Sequence, residues 1–317
     1  MSPPKNAGGR GRPARAGSGR GRSTGSSTRG AGSKGGTSRD APVRRVRGNG
    51  GRSVSETRVR GASAPAGLGG EQVEGRQAVR ELLSANRRAV TSLLVADGMD
   101  AAPILDEIEA LAGTRRVRIE YVSRRRIDSV ARTDAAQGVV ALARPIEETP
   151  LEALCQPTRR GRVPFLLVLD GITDPHNLGA VLRSAECAGV TGIVLPRHRS
   201  AHLSPTVAKV AAGAIEYLPM ALVDGIPTAI QQLSGLGVMT VGMVGEAPKP
   251  LYRLALGDQP VALVLGSEGS GLAALTRRRC DELAAIPQHG TLSSLNVATA
   301  GAIACFDVAR QRTAAGN

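Results

Sequence analysis

A chain of 317 residues can bury a substantial core, and with no Trp, two Phe and three Tyr that core must come from Val, Leu, Ile and Ala, which suits buried parallel strands and excludes an aromatic base-stacking platform. The net charge of +14 is concentrated at one end, since residues 1–70 hold fifteen Lys and Arg against Asp40 and Glu56, while four scattered cysteines form no CxxC pair and so exclude a zinc finger or a disulfide framework. No apolar run approaches the ~20 residues a membrane span needs, and no apolar segment follows the basic start as in a secretory signal, so a cytoplasmic protein with reduced core thiols is expected.

Residues 1–70 are Gly, Arg, Ser and Ala with almost nothing to bury, and are expected to be a disordered basic tail. Arginine spread along a flexible chain raises affinity for any polyanion by releasing counterions; a solubilising leader is the plainer reading. Residues 71–144 read as a small α/β domain. EGRQAVRELLSA and APILDEIEALAG carry apolar residues at helical spacing, and TSLLVAD, RIEYVS and GVVALAR read as strands. PIEETPLEALCQPTRRGR, with its scattered prolines, places a linker at residues 145–162. From residue 163 to 317 strands and helices alternate: FLLVLD, GIVLP, a helix from about Pro205, a strand near EYLPMAL, a helix over Ile226 to Leu233, VMTVGMV, VALVLG, a helix after Gly271 and a long helix from Leu295. Continuously apolar strands bounded by helices predict a parallel sheet covered on both faces, with its site at the carboxyl ends of the strands.

Three stretches follow such strands. In GITDPHNLGAVLRSAECAG, Asn177 reads as the N-cap of a helix whose apolar stripe is Leu178, Val181, Leu182 and Ala185. Arg183 falls about 150° from that stripe, beside Gly179 and Glu186. On the helix alone this is a solvated face with an Arg183–Glu186 pair, although Gly179 leaves room for a phosphate or a second subunit. In SEGSGL, Gly266, Gly269 and Gly271 surround Glu268 at a spacing that matches neither GxGxxG nor a P-loop; a simple turn and a ligand site both fit. In IPQHGTLSSLNVATAGAIACFD, Ser293 and Ser294 read as caps of a helix whose Ala298, Ala300, Gly301, Ala302 and Ala304 permit close helix packing. His176 and His289 lie in two of these loops without a third ligand at metal spacing, and no metal is expected.

Together these stretches resemble the three motifs of the SpoU, or TrmH, family of RNA ribose 2′-O-methyltransferases. DPxNxGAxxRxA is met by Asp174, Pro175, Asn177, Gly179, Ala180, Arg183 and Ala185, LGxEGxG by LGSEGSG, and IPxxGxxxSLNVxxA by IPQHGTLSSLNVATA. EGRQAVRELL resembles the opening of the RNA-binding domain of the family's 23S ribosomal RNA guanosine methyltransferases. That subgroup commonly has His-Gln-Gly where this chain has Ala136, Gln137 and Gly138, which bears on the target nucleotide. The resemblance implies a SPOUT fold with a C-terminal trefoil knot, S-adenosyl-L-methionine as cofactor, ribosomal RNA as substrate and a homodimer with active sites near the subunit interface. It implies that Gly266, Ile286 and Leu295 line the cofactor loops, and that Asn177, Arg183, Glu268, Ser294 and Asn296 form the catalytic and RNA-holding set. Methylation of transfer RNA, an antibiotic-resistance methylation of ribosomal RNA, and a ribosome-assembly protein that keeps the fold without the reaction are the alternatives.

Overall fold

The structure, a computed structural model, describes residues 67–198, 200–292 and 294–316; the expectation of a disordered tail falls almost wholly outside them. Near the start of the described chain, β1 (Gln72–Glu74), β2 (Val90–Ala96), β3 (Ile119–Val122) and β4 (Val139–Ala143) form a sheet of order β1-β4-β2-β3. β2 and β3 are parallel and the other pairs antiparallel, so β2 and β3 need a crossover. It is α2 (Pro103–Arg115), opened by proline at its first turn and burying Leu105, Ile108 and Ala112. α1 (Arg76–Ala85) buries Ala78, Val79, Leu82 and Leu83 on one stripe.

Two short elements of this sheet escape periodicity: β1, and α3 (Arg124–Val130), whose N-cap Ser123 accepts from the Arg126 N–H at 3.3 Å. A buried carboxylate holds both in place. Glu74 accepts from Gln72 Nε2 at 2.7 Å, from Arg132 N at 2.7 Å, and from the N–H and hydroxyl of Thr133, so its charge lies in a nest of donors despite full burial.

The larger sheet contains β5 (Phe165–Asp170), β6 (Gly192–Pro196), β7 (Met220–Val223), β8 (Met239–Met243), β9 (Lys249–Pro250), β10 (Val261–Gly266) and β11 (Glu282–Ala285). All seven are parallel, in the order β7-β6-β5-β10-β8-β11-β9. The two-residue side-chain period divides the strands cleanly. Phe165, Leu167, Leu169, Val261, Leu263 and Leu265 face a core closed by α5 (Pro175–Cys187), α6 (Pro205–Val210) and α9 (Val297–Ala315). Leu166, Val168, Ala262 and Val264 face a second core under α4 (Leu151–Leu154) and α7 (Ile226–Gly235). The expectation of a parallel sheet covered on both faces holds. A last short helix, α8 (Ala274–Arg279), follows β10.

Several local expectations change. Gly179 is buried, and a Cβ there would lie 2.7 Å from Val210 Cβ and 3.0 Å from the Val207 carbonyl, so the glycine serves the crossing of α5 and α6 and makes no room for a ligand. The segment 145–162 is anchored: Leu151, Leu154 and Cys155 belong to the second core, and the Thr149 N–H donates to the Met220 carbonyl at 2.7 Å. Leu68 is 2% exposed and its carbonyl accepts from Leu203 N, so residues 67–70 belong to the folded part. Cys155 and Cys305 are buried, Cys280 is half-buried and Cys187 is exposed, so Cys187 is not a core thiol. Burial pushes the Cys280 and Cys305 thiols up to about 12, which makes them poor nucleophiles.

The two sheets are joined by a buried ion pair. Arg88 Nη2 and Nε donate to the Glu216 carboxylate at 2.6 and 2.9 Å, with side-chain exposures of 7% and 2%. Arg88 Nη1 also donates to the carbonyls of Gly70 and Arg144 at 2.7 and 2.6 Å. Nearby, Tyr217 donates to Glu81 on α1 at 2.7 Å.

Candidate active site

The carboxyl ends of β10, β8 and β11 open onto a cleft of about 500 Å³. Its walls are the loop after β8 (Met243 to Glu246), the loop after β10 (Gly266 to Leu272), and two parts of the segment after β11, Ile286 with Gln288 and Ser294 to Val297. Ligand sites of parallel sheets gather at such ends because neighbouring loops diverge there. Here Gly266, Glu268, Ile286, Ser294, Leu295 and Asn296, six of the eight residues expected at the site, line one cleft.

The β10 loop is shaped by its glycines. Ser267 N donates to the Gly271 carbonyl at 3.1 Å and Gly271 N to the Ser267 carbonyl at 2.9 Å, with Gly269 and Gly271 at φ of +84° and +65°. The return strand passes so close that a Cβ on Gly266 would sit 2.1 Å from the Gly271 carbonyl carbon. Gly266→Ala is therefore expected to unmake this turn and weaken binding of S-adenosylhomocysteine by at least tenfold in calorimetry, with a fall in Tm; wild-type affinity in that variant would show that the turn does not shape the site.

Asn177 does not cap α5. Asp174 does, its carboxylate accepting the N–H groups of His176 and Asn177 at 3.1 and 3.3 Å with Pro175 at the first helical position. Relieved of capping, the Asn177 side chain crosses to the other loops: its Nδ2 donates to Glu268 Oε2 at 2.7 Å, and its Oδ1 accepts from Asn296 Nδ2 at 2.9 Å. Nor does Ser294 cap α9. Asn296 does, Oδ1 accepting from Ala298 N at 2.9 Å and Thr299 N at 3.3 Å, because it is the residue immediately before the helix. Ser293 lies outside the described residues, and Ser294 is an exposed wall of the cleft. A directed chain thus runs from the first amides of α9 through Asn296 and Asn177 to the Glu268 carboxylate, tying together three stretches distant in sequence.

Arg183 is not among the residues lining this cleft. Six residues beyond Asn177, it lies about 9 Å farther along α5 and roughly 120° around it, exposed and with no side-chain hydrogen bond or ion pair among the described residues; the expected pair with Glu186 does not form. Two charged residues of the cleft were not singled out in the sequence, Glu246 and Arg277. The turn of α8 that carries Arg277 is fastened by the residue before it. Thr276 is fully buried and its hydroxyl donates at 2.7 Å to Asp170, the last residue of β5. A Thr beside an Arg in an exposed helix carries no periodic signal, and only the packing of α8 identifies it.

The fold and the cleft define an α/β enzyme with its site at the ends of parallel strands. Residues 164–306 match the SpoU rRNA Methylase family, and residues 72–149 match the family described as RNA 2'-O ribose methyltransferase substrate binding. A Pseudomonas aeruginosa protein named 23S rRNA (guanosine-2'-O-)-methyltransferase RlmB is 42% identical over 246 residues, covering 77% of this chain and 97% of its own. A Yersinia pestis protein of the same name is 42% identical over 248 residues, covering 76% and 98%. An AdoMet-bound rRNA methyltransferase from Sinorhizobium meliloti superposes with a TM-score of 0.63 at 26% identity, over 75% of this chain and 86% of that one. The chain belongs to the SpoU rRNA methylase family. No helix among the described residues is long and apolar enough to cross a membrane.

Proposed function

We propose that this protein transfers a methyl group from S-adenosyl-L-methionine to a ribose 2′-oxygen of RNA, and that its target is a guanosine of 23S ribosomal RNA. The observation that carries the reading is the Asn296–Asn177–Glu268 hydrogen-bond chain, which links three loops at one strand-end cleft and aims a carboxylate where they meet. The reading of the target is supported by the names of the Pseudomonas and Yersinia relatives and by the match of residues 72–149 to a substrate-binding family. Mapping 2′-O-methylation across ribosomal and transfer RNA in cells with and without the gene tests it: one 23S guanosine should lose its methyl group. Loss in transfer RNA alone would refute the target, and an unchanged map would refute the reaction.

The cleft suits the cofactor chemically. Backbone at Gly269 and Gly271 lies open, Ile286, Leu295 and Val297 offer apolar contact for a nucleoside, and Glu246 and Glu268 offer negative charge to a sulfonium. S-adenosylmethionine supplies an electrophilic methyl group on sulfur. The protein's own groups do the rest: Gly266, Ile286 and Leu295 hold the nucleoside, Ser294 and Asn296 position the substrate ribose, and Asn177 orients Glu268. Arg183 would gather a substrate phosphate and stabilise the negative charge that develops on the 2′-oxygen as its proton passes to solvent water. A guanidinium holds its protons throughout the physiological range, so electrostatic stabilisation is preferred over a role as base.

A homodimer fits this division of labour. Arg183 stands outside the cleft of its own chain, so a second subunit could bring it to a neighbouring one, and Leu292, Leu295 and Phe306, 82%, 38% and 50% exposed, offer apolar surface on the third loop and α9. A C-terminal trefoil knot fits the closeness of α9 to the strands and loops it passes, where a Cβ on Gly301 would lie 2.8 Å from Leu265 and one on Gly257 would lie 2.9 Å from the Gln311 carbonyl. The domain plan is a basic tail to residue 66, an RNA-binding domain that runs from residue 67 to 144, an anchored connecting segment at 145–162 and the methyltransferase domain at 163–317. Ala136 is 6% exposed and offers RNA no polar side chain; Arg124 and Arg132, which line the hollow beside it, are the RNA contacts proposed there. A ribosomal RNA substrate fits a cytoplasmic protein.

A further inference from the structure

We infer that Arg277 binds the α-carboxylate of the cofactor's methionine part, and so selects an amino-acid-bearing nucleoside over a bare one. The inference rests on the proposed use of S-adenosylmethionine. Three charged side chains line the cleft among the described residues: Glu246, Glu268 and Arg277. S-adenosylmethionine carries the complementary set near neutral pH, a sulfonium, an ammonium and a carboxylate. Glu268 is engaged by Asn177, whereas Arg277 has no ion pair and no side-chain hydrogen bond among the described residues and is free to take an anion. The two carboxylates leave the cleft with a net negative charge, which repels an RNA phosphate but admits a ligand with two cations and one anion. Carboxylate and guanidinium match as a two-point fork.

The backbone that carries Arg277 is also held in place. Arg277 follows Thr276, whose hydroxyl donates to Asp170 Oδ2 at 2.7 Å, and the Ala273 N–H reaches the same oxygen at 3.4 Å. These bonds fasten α8 to the end of β5, beside β10, so the guanidinium stands on a fixed base at the wall of the cleft.

The test compares two nucleosides by calorimetry on the full chain. S-adenosylhomocysteine has the ammonium and the carboxylate; 5′-methylthioadenosine has neither. Arg277→Ala should raise the Kd for S-adenosylhomocysteine roughly tenfold, the order expected for one charge-assisted pair in a partly open site, and leave that for methylthioadenosine unchanged. Arg277→Lys, which keeps the charge but not the fork, should fall between. The unchanged methylthioadenosine affinity would also show that the variant is folded. An unaltered S-adenosylhomocysteine Kd with a raised KM for RNA would overturn the inference and make Arg277 a phosphate contact. Equal weakening of both nucleosides would overturn it in favour of a structural role. Failure of the unaltered protein to bind either nucleoside would sink the cofactor reading itself, a result distinct from both.

Discussion

Arg183→Ala is expected to lower kcat for RNA methylation by roughly 10²- to 10³-fold, the loss typical of one preorganised electrostatic group, while the Kd for S-adenosylhomocysteine changes less than about twofold. The split follows from position. Asn177, at the first turn of α5, is bonded into the cleft, whereas Arg183 lies about one and a half turns on, exposed and outside it. A residue so placed can reach the substrate, and across a dimer the neighbouring site, without touching the nucleoside of its own chain. Arg183→Lys should recover part of the rate, because charge without the planar fork still stabilises an anion. Parallel loss of turnover and of nucleoside binding would mark Arg183 as structural.

Glu216→Ala should cost about 3–5 kcal/mol of unfolding free energy in urea, the range for a buried pair that loses one partner. The carboxylate takes two bonds from Arg88, and without it a guanidinium 7% exposed would keep only the carbonyls of Gly70 and Arg144. Because the pair joins the loop between α1 and β2 to the stretch before β7, the loss should loosen the small sheet against the large one. Replacing both residues together, Arg88→Met with Glu216→Leu, should cost far less than the single change, since no charge is then stranded. A single-variant cost below about 1 kcal/mol would show that water reaches the pair and that other contacts join the sheets.

How far the sequence speaks depends on the range of the interaction. The apolar runs of β5, β6 and β10 announce buried parallel strands, because such strands are covered on both faces and need apolar residues at every position. The stripes of α1 and α5 are legible for the same reason, a local period set against one core face. β9, two residues long, and β11, whose ELAA has half-buried positions, carry no such pattern; they are strands because β8 offers a free edge to β11 and β11 then offers one to β9. Capping is intermediate. DPHN contains two good caps, and proline after Asp174 settles between them, since proline favours the first helical position.

The identities and spacing of Asn177, Glu268, Ser294 and Asn296 lie in the sequence, as do the glycines that let the β10 loop turn back on itself, and those were enough to mark a resemblance to a family. What folding alone decided is which of these groups meet. Asn177 bonds to residues 91 and 119 positions away, Gly179 is spent on a helix crossing, Arg183 is left outside the cleft, and Arg277 is brought into it. The reason is physical: backbone propensity and hydrophobic period act over a turn or two of chain, whereas a hydrogen bond between side chains is set by the order in which seven parallel strands lie side by side.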